Sequence, residues 1–522
     1  MYIVSSNEMR KIDEYTIKEI GIPAIVLMEQ AALKCFKIIK KKIIKQKYKK
    51  IIAICGTGNN GGDGLAICRH VYFSGITAEI ILVGSINKLS ECAQINYDIL
   101  KKLGLEIKYY PEKIKFSKDY FDDCLVIDAL FGTGIKGKFS NEIQELIKNI
   151  NSSNSYIIAI DSPSGLTDNT ENIPIAANLT LTIGSYKTAF FSDCGIKSTG
   201  KIKLIELNFP QSAFDNCLNE NKIFVNKIEK KLLYKLLPAE NSCKTRNSKI
   251  TIIAGSYKYS GAAQLAIKSA LKCGAGLIYA LVPKSIANII KTNIPEAIVF
   301  ALDELDGVIA ATENNKKIIN NFLDKSDSVL LGPGLTVSEH AKNICEYIIN
   351  SAKCRVVIDA DGLNNLAENL EILNQNKSAK FILTPHPGEF AKLIKSEVCH
   401  IQNNRLEYLK KIRIYDNVVI VLKGKYSIIA DNKNRYVNFS GNSLLAAAGT
   451  GDVLAGMLAS ITAKLKDDTL IETVKLSVFL HGSISDFLKF KKKKMTMYAG
   501  ELIENFDDTL AELLSLNYEY IW

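Results

Sequence analysis

Ile51 to Gly64 reads IIAICGTGNNGGDG, five apolar residues followed by a run with glycine at positions 56, 58, 61, 62 and 64. A short apolar run that ends in glycine is expected to be a buried strand. The turn after it opens onto LAICRHVYFSG, whose pattern is helical. A sharp strand-to-helix turn of this kind leaves free N–H groups at the helix N-terminus, a setting suited to a phosphate. The same unit recurs outward from this stretch. AEIILVG at Ala78 to Gly84, CLVIDAL at Cys124 to Leu130 and YIIAIDS at Tyr156 to Ser162 are further strand candidates separated by helical segments. The first part of the chain is therefore expected to be a doubly wound α/β domain.

With 522 residues the chain exceeds what one hydrophobic core supports. The strand–helix alternation weakens between Asn208 and Ser248, which puts the boundary near residue 220 and predicts domains over 1–218 and 222–522. Beyond it KITIIAG, AGLIYALVP, SVLLGPG, RVVIDADG, KFILTPHPG and NVVIVLKGK form a second strand series. Amphipathic helix is expected over Met9 to Lys42, and closing helices around Val453 to Lys464 and Ile471 to Phe490.

Composition narrows the function. A content of 47% hydrophobic and 23% charged residues is that of an ordinary globular protein. No stretch stays apolar for the roughly 20 residues a bilayer span needs. The opening MYIVSSNEMRKIDEY lacks a basic segment followed by an apolar core and cleavage site, so a cytoplasmic chain is expected. The 12 cysteines form no CxxC pair, and buried free thiols are the simpler reading. A net charge of +11 invites a nucleic-acid partner. However, the lysine runs at 40–50 and 491–494 carry almost no interleaved aromatics, so solvated surface and no nucleic acid are expected.

GTGIKG at Gly132 to Gly137 repeats the G-x-G-x-x-G spacing found at Gly56. Each match alone is weak, because tight turns also take glycines for backbone geometry alone. Glu79 stands about 20 residues past the first match, where a ribose-binding acid would be wanted, but it opens its strand. Taken in order, NNGGDGL, DALFGTGIKG and DSPSGL, with the opening EMRKIDEYTIKEIGIPAIVLMEQAA and the later LTLTIGSYKTAFFSDCG, resemble the NAD(P)H-hydrate epimerase family across the whole first domain. That resemblance implies a Rossmann-like three-layer domain. It implies that Asn59, Asn60, Gly61, Gly62 and Asp63, with Gly132, Thr133, Gly134, Ile135, Lys136, Gly137 and Lys138, hold the dinucleotide. It further implies that Asn60, Asp128 and Ser164 offer oxygen ligands to potassium. Asp161, at a strand's C-terminal end, is the candidate acid/base and a substrate contact, with an N-cap as its structural alternative. Ser162 and Thr167 depart from the family pattern, which has aliphatic and acidic residues there.

In the second half GTGDVLAG at Gly449 to Gly456 leads into a helix of apolar periodicity. Its N-terminus suits the charge of a transferring phosphoryl group, and Asp452 beside it is placed to take a proton from a hydroxyl. An N-cap is the alternative. SYKYSGAAQLAIKSALKCGAGL, LLGPGL, VIDADGLN, TPHPGEF, LKGK and AAAGTGDVLAG resemble, in order and spacing, the ribokinase-like ADP/ATP-dependent NAD(P)H-hydrate dehydratase family. The resemblance implies that Ala262, Gly334, His386 and Asp452 contact the hydrated nucleotide. It implies that Lys423, Gly424, Lys425, Tyr426, Ser427 and Gly451 hold ADP or ATP, with Mg2+. The chain departs from the pattern at Cys243 to Asn247, where His-Lys-Gly is common, and at Ser443 to Ala447, where Pro-Gly-Met follows the asparagine.

The expected function is repair of hydrated NADH and NADPH, with epimerisation in the first domain, nucleotide-dependent dehydration in the second, and a homo-oligomer as the assembly. The rivals are a small-molecule kinase with a regulatory dinucleotide-binding domain, and a dinucleotide sensor without turnover.

Overall fold

In a computed structural model the chain falls into two compact units, Met1–Lys222 and Ile223–Trp522. The structure describes all residues except 113–115, 117–118, 135–136, 169–171, 219–221, 239–247, 368, 412–413 and 522. Ile135, Lys136 and the departure at Cys243 to Asn247 lie outside the described residues.

The first unit is built on a seven-stranded, wholly parallel sheet. Its order is Ile107–Tyr110, Glu79–Val83, Ile51–Cys55, Leu125–Ala129, Tyr156–Ile160, Leu179–Ile183, Lys201–Ile205. All five residues of Ile51–Cys55 and of Leu125–Ala129 are buried, as strands covered on both faces require. The chain leaves Ile51–Cys55 towards Glu79–Val83 on one side and later returns to pair Leu125–Ala129 on the other. Strand order therefore reverses between Ile51–Cys55 and Leu125–Ala129. The crevice outside their carboxyl ends is where open α/β sheets bind ligands.

Helix Asn59–Phe73 starts immediately after that turn. A methyl group at Gly61 would lie 1.8 Å from the Gly56 carbonyl oxygen, so only glycine lets the first helical turn sit on the strand end. The opening amphipathic segment is not one helix, which corrects the sequence reading. It breaks into Ser6–Lys18, capped by a Ser5–Glu8 capping box, and Ala24–Lys45. The break falls where Gly21 takes a φ of +84° and Pro23 precedes the second helix.

The second unit carries a sheet whose parallel part runs Ile298–Leu302, Leu277–Pro283, Lys249–Ile253, Ser328–Leu331, Arg355–Ile358, Lys380–Leu383, Val418–Leu422. Antiparallel Ile428–Ala430 and Arg435–Val437 extend it. Here the order reverses at Lys249–Ile253, which pairs with both Leu277–Pro283 and Ser328–Leu331. Helix Thr450–Lys464 is buried along most of its length, as its near-continuous apolar sequence demands. It packs on helix Ser260–Lys272 so closely that a methyl at Gly456 would lie 2.2 Å from the Ala266 carbonyl oxygen. Among the described residues no helix is long and apolar enough to cross a membrane.

Candidate active sites

A cavity of about 610 Å³ opens at the switch point of the first unit. Thr57, Gly58, Asn59, Asn60 and Asp63 line it from the first turn, Phe131, Gly132, Thr133 and Gly134 from the second, and Asp161 from the end of Tyr156–Ile160. Of the residues expected to hold a dinucleotide, the structure brings Asn59, Asn60, Asp63 and Gly132 to Gly134 together. Gly61 and Gly62 do not line the cavity. Gly61 packs on the strand end, and a methyl at Gly62 would lie 2.7 Å from Met28 Cε, so both serve helix packing. Gly137 and Lys138 are exposed and also lie outside the lining.

Asp161 has the backbone of a left-handed turn, with φ +62°. Its Oδ1 accepts from the Ile183 amide at 3.1 Å and from the Lys187 ammonium. Lys187 is fully buried and also donates to Thr182 Oγ1 at 2.9 Å and to the Ile183 carbonyl at 2.7 Å. These contacts make Asp161 one half of an ion pair whose lysine is buried, and among the described residues no helix is capped by it. Carboxyls crowd the same cavity. Burial first, and then the charge of Asp161, pushes Asp13 up to about 7 against the pull of Lys187. The same causes, with Asp13 added, hold Asp63 well above the usual carboxylate range.

Asp128 and Ser164 are fully buried, and the serine hydroxyl and amide donate to the carboxylate at 2.5 and 2.9 Å. Burial pushes Asp128 up to about 6 against those hydrogen bonds. Both amide atoms of Asn60 are buried without a hydrogen-bond partner among the described residues. An unsatisfied buried amide costs about 1–3 kcal/mol, so an oxygen left in that state calls for a ligand. Arg10, Asp13 and Lys187 were not singled out in the sequence. The first two lie inside the quoted EMRKIDEYTIKEIG and Lys187 inside the quoted SYKTAFF, but none was given a role.

In the second unit a cavity of about 590 Å³ is lined by Lys423, Gly424, Lys425, Tyr426, Ser427 and Gly451, the complete set expected to hold ADP or ATP. Ser440 to Ser443, Leu445, Ala446 and His481 are also in its walls, so Ser443 and Ala446 of the departing GNSLLAAAG loop line it. Lys423 donates to Asp359 at 2.8 Å and lies 3.9 Å from Glu389. Burial works against its charge, yet these carboxylates, with Asp452 beyond them, hold Lys423 above the ordinary lysine value. A methyl at Gly451 would lie 3.6 Å from Lys423 Nζ, so the lysine stands at the start of helix Thr450–Lys464.

Asp452 lies in the first turn of that helix and is not its cap; Gly449 holds the cap position at φ +86°. Burial, then the charges of Asp359 and Asp361 against that of Lys423, push Asp452 up to about 6. Ala262 and Gly334 are neighbours, since a methyl at Gly334 would lie 3.2 Å from Ala262 Cβ. His386 caps helix Pro387–Leu393: its Nδ1 accepts from the Gly388 and Glu389 amides at 3.0 and 3.2 Å, and Glu389 accepts from the His386 amide at 2.8 Å. The Nε2 of its half-exposed ring lies 3.4 Å from Glu389 Oε1. Asp359, Glu389 and His481 were quoted or passed over in the sequence without a role.

Two sequence-family models match the chain, one described as "YjeF-related protein N-terminus" over residues 24–189 and one as "NAD(P)H-hydrate dehydratase" over residues 250–507. A bifunctional NAD(P)H-hydrate repair enzyme from Dictyoglomus turgidum is 31% identical over 97% of both chains. One from Moorella thermoacetica is 30% identical over 97% of this chain and 96% of its own. Among solved structures, an ADP/ATP-dependent NAD(P)H-hydrate dehydratase from Bacillus subtilis, co-crystallized with ATP/Mg2+, is 27% identical over 54% of this chain and 97% of its own, with a TM-score of 0.47. With a relative of 31% identity matched from end to end and both family models present in order, the chain belongs to the family of bifunctional NAD(P)H-hydrate repair enzymes.

Proposed function

We infer that the first unit interconverts the R and S epimers of hydrated NADH and NADPH and that the second dehydrates the S epimer at the expense of ADP or ATP. The observation that carries this reading is that the two family matches fall on the two units, each with its own cavity, Asp161 lining the first and Asp452 standing in the first turn of the helix whose Gly451 lines the second.

In the second unit the substrate hydroxyl attacks the terminal phosphoryl group of the nucleotide, and Asp452 takes the hydroxyl proton. Its value of about 6 leaves it ionised near neutral pH and close to the range where a general base works best. Lys423 and the N–H groups at the start of Thr450–Lys464 face the charge that develops. The ring-nitrogen lone pair then expels phosphate, and loss of the adjacent ring proton restores the double bond. Phosphate leaves where hydroxide would not. Asp359, paired with Lys423, and Asp361, whose charge bears on Asp452, would supply hard oxygen donors that fit Mg2+, which would neutralise phosphoryl charge when bound.

In the first unit Asn59, Asn60, Asp63 and the Gly132 to Gly134 turn hold the dinucleotide, and Asp161 exchanges the proton. Asn60, Asp128 and Ser164 suit a potassium ion: the amide oxygen of Asn60 is unpartnered, and the other two offer a carboxylate and a hydroxyl. Potassium there supplies positive charge to a carboxyl-rich site. Ala262, Gly334 and the Nε2 of His386 contact the hydrated nucleotide, and Lys423 to Ser427 with Gly451 hold ADP or ATP. A cytoplasmic setting and self-association belong to the same reading, the latter supported by Leu33 and Ile44, which stand exposed on Ala24–Lys45.

The test is incubation with ADP or ATP and an R/S mixture of hydrated NADH while NADH absorbance and inorganic phosphate are followed. Full, nucleotide-dependent return of absorbance with matching phosphate is expected. A stable phosphorylated product would replace the reading with the kinase alternative, and binding without turnover would replace it with the sensor.

A further inference from the structure

Asp13 projects from helix Ser6–Lys18 into the cavity that holds Asp161, alongside Arg10 and Ile17 of the same helix face. Its carboxyl is half-buried and makes no hydrogen bond or ion pair with the described residues, in contrast to Asp161, which is fixed by Lys187 and the Ile183 amide. A structural carboxylate in such a place would normally be tied to a donor, because burying it unpaired is costly. Substrate is what remains for it to meet. The charged groups that bear on it are Asp161, Lys187, Glu14 on its own helix, and Asp63 across the cavity.

We propose that Asp13 is a second catalytic residue of the first unit, the proton donor that works against Asp161 as acceptor. This rests on the reading of the first unit as the epimerase. The substrate carbon carries a hydroxyl and is bonded to the ring nitrogen. Asp13 gives its proton to that hydroxyl, the C–O bond breaks, water departs, and the nitrogen lone pair forms a C=N bond. Water then adds to the opposite face, the C=N electrons return to nitrogen, and Asp161 takes the proton lost by the incoming water. Asp13 has lost one proton and Asp161 has gained one, and exchange with solvent restores both. No oxidant or reductant enters. The two carboxyls are held differently, Asp161 tied to the Lys187 ammonium and Asp13 left unpaired and raised by burial and a neighbouring charge, which suits them to separate roles as acceptor and donor.

The experiment uses the full-length chain, R-enriched hydrated NADH without nucleotide, and chromatographic separation of the epimers. Asp13→Asn is expected to lower kcat for epimerisation by about 100-fold or more while KM moves less than about threefold, the range a positioned acid supplies. Asp13→Glu should recover part of the rate, and recovery of the S epimer with ADP or ATP should be unchanged in both. In the parent chain the acid must carry its proton, so kcat should fall as pH rises through about 7, a limb absent from Asp13→Asn. An Asp13→Asn chain that epimerises within about twofold of the parent, or that changes KM alone, overturns the proposal. So does a parent rate that is flat between about pH 6 and 8.5, a result independent of whether any variant folds. A parent chain that leaves the R epimer untouched overturns the reading of the first unit and this proposal with it.

Discussion

Replacing Asp452 by asparagine should make the second unit more stable and inactive. The folded chain holds this carboxyl at about 6 against an ordinary 3.8, so the native state favours its protonated form. For a group raised on folding, the charge costs nothing below the unfolded value. The cost grows as pH climbs from 3.8 to about 6 and is complete above that. A difference of about 2 pKa units at about 1.36 kcal/mol each amounts to nearly 3 kcal/mol at pH 7. Asparagine has the shape of the protonated acid and no charge, so it removes that cost. The gain should shrink to about half a kcal/mol near pH 4, where the parent has already taken up its proton. Calorimetric melts of parent and variant at both pH values read the gain, and NADH recovery with ADP or ATP reads the activity. In the parent that recovery should weaken as pH falls through about 6, because a proton acceptor must be ionised. A variant that is no more stable at pH 7, or one that still turns over, would refute the assignment of Asp452 as a strained functional base.

Asp161→Asn should abolish epimerisation and spare dehydration; given an R/S mixture and nucleotide, the variant recovers the S portion promptly and then stalls, and equal consumption of R by variant and parent would remove Asp161 from the mechanism. Lys187→Met leaves Asp161 without its counter-charge, while Ile183 and Thr182 keep other partners, so a loss of about 3 kcal/mol is expected, roughly 6–12 °C in the melting of the first unit. A fall below about 1 kcal/mol would mean that solvent replaces the ammonium freely. Limited proteolysis near residue 220 should release two fragments of about domain size, and the absence of any stable fragment would count against separable domains.

The strands read most easily from sequence are those buried on both faces. IIAIC matches Ile51–Cys55 residue for residue, and KITIIAG, SVLLGPG and NVVIVLKGK each contain their strand. The strands passed over include those at sheet edges: Ile107–Tyr110, Lys201–Ile205 and Ile298–Leu302 are partly exposed, and two of the three carry lysines. Edge strands are made polar to prevent further pairing, which erases the apolar run that marks a strand. The glycine turns announced both crevices, because strand order and turn chemistry are local. What escaped is what the fold assembles from afar. Asp13 comes to the cavity that holds Asp161 only because the opening helix lines it, and the burial of Lys187 makes sense only once its partner 26 residues away is known. His386 was legible as a site loop residue, but its cap became visible only with the helix that it starts.

The left-handed backbone of Asp161 limits what natural variation can do at this position. A φ of +62° is tolerated by glycine, asparagine and aspartate and costs other residues about 1–2 kcal/mol. Of the three permitted types only aspartate brings a charge, so a lineage that gave up epimerisation while keeping its fold should carry asparagine or glycine here rather than alanine. One codon would then record the loss of the first activity in a chain whose second remained under selection.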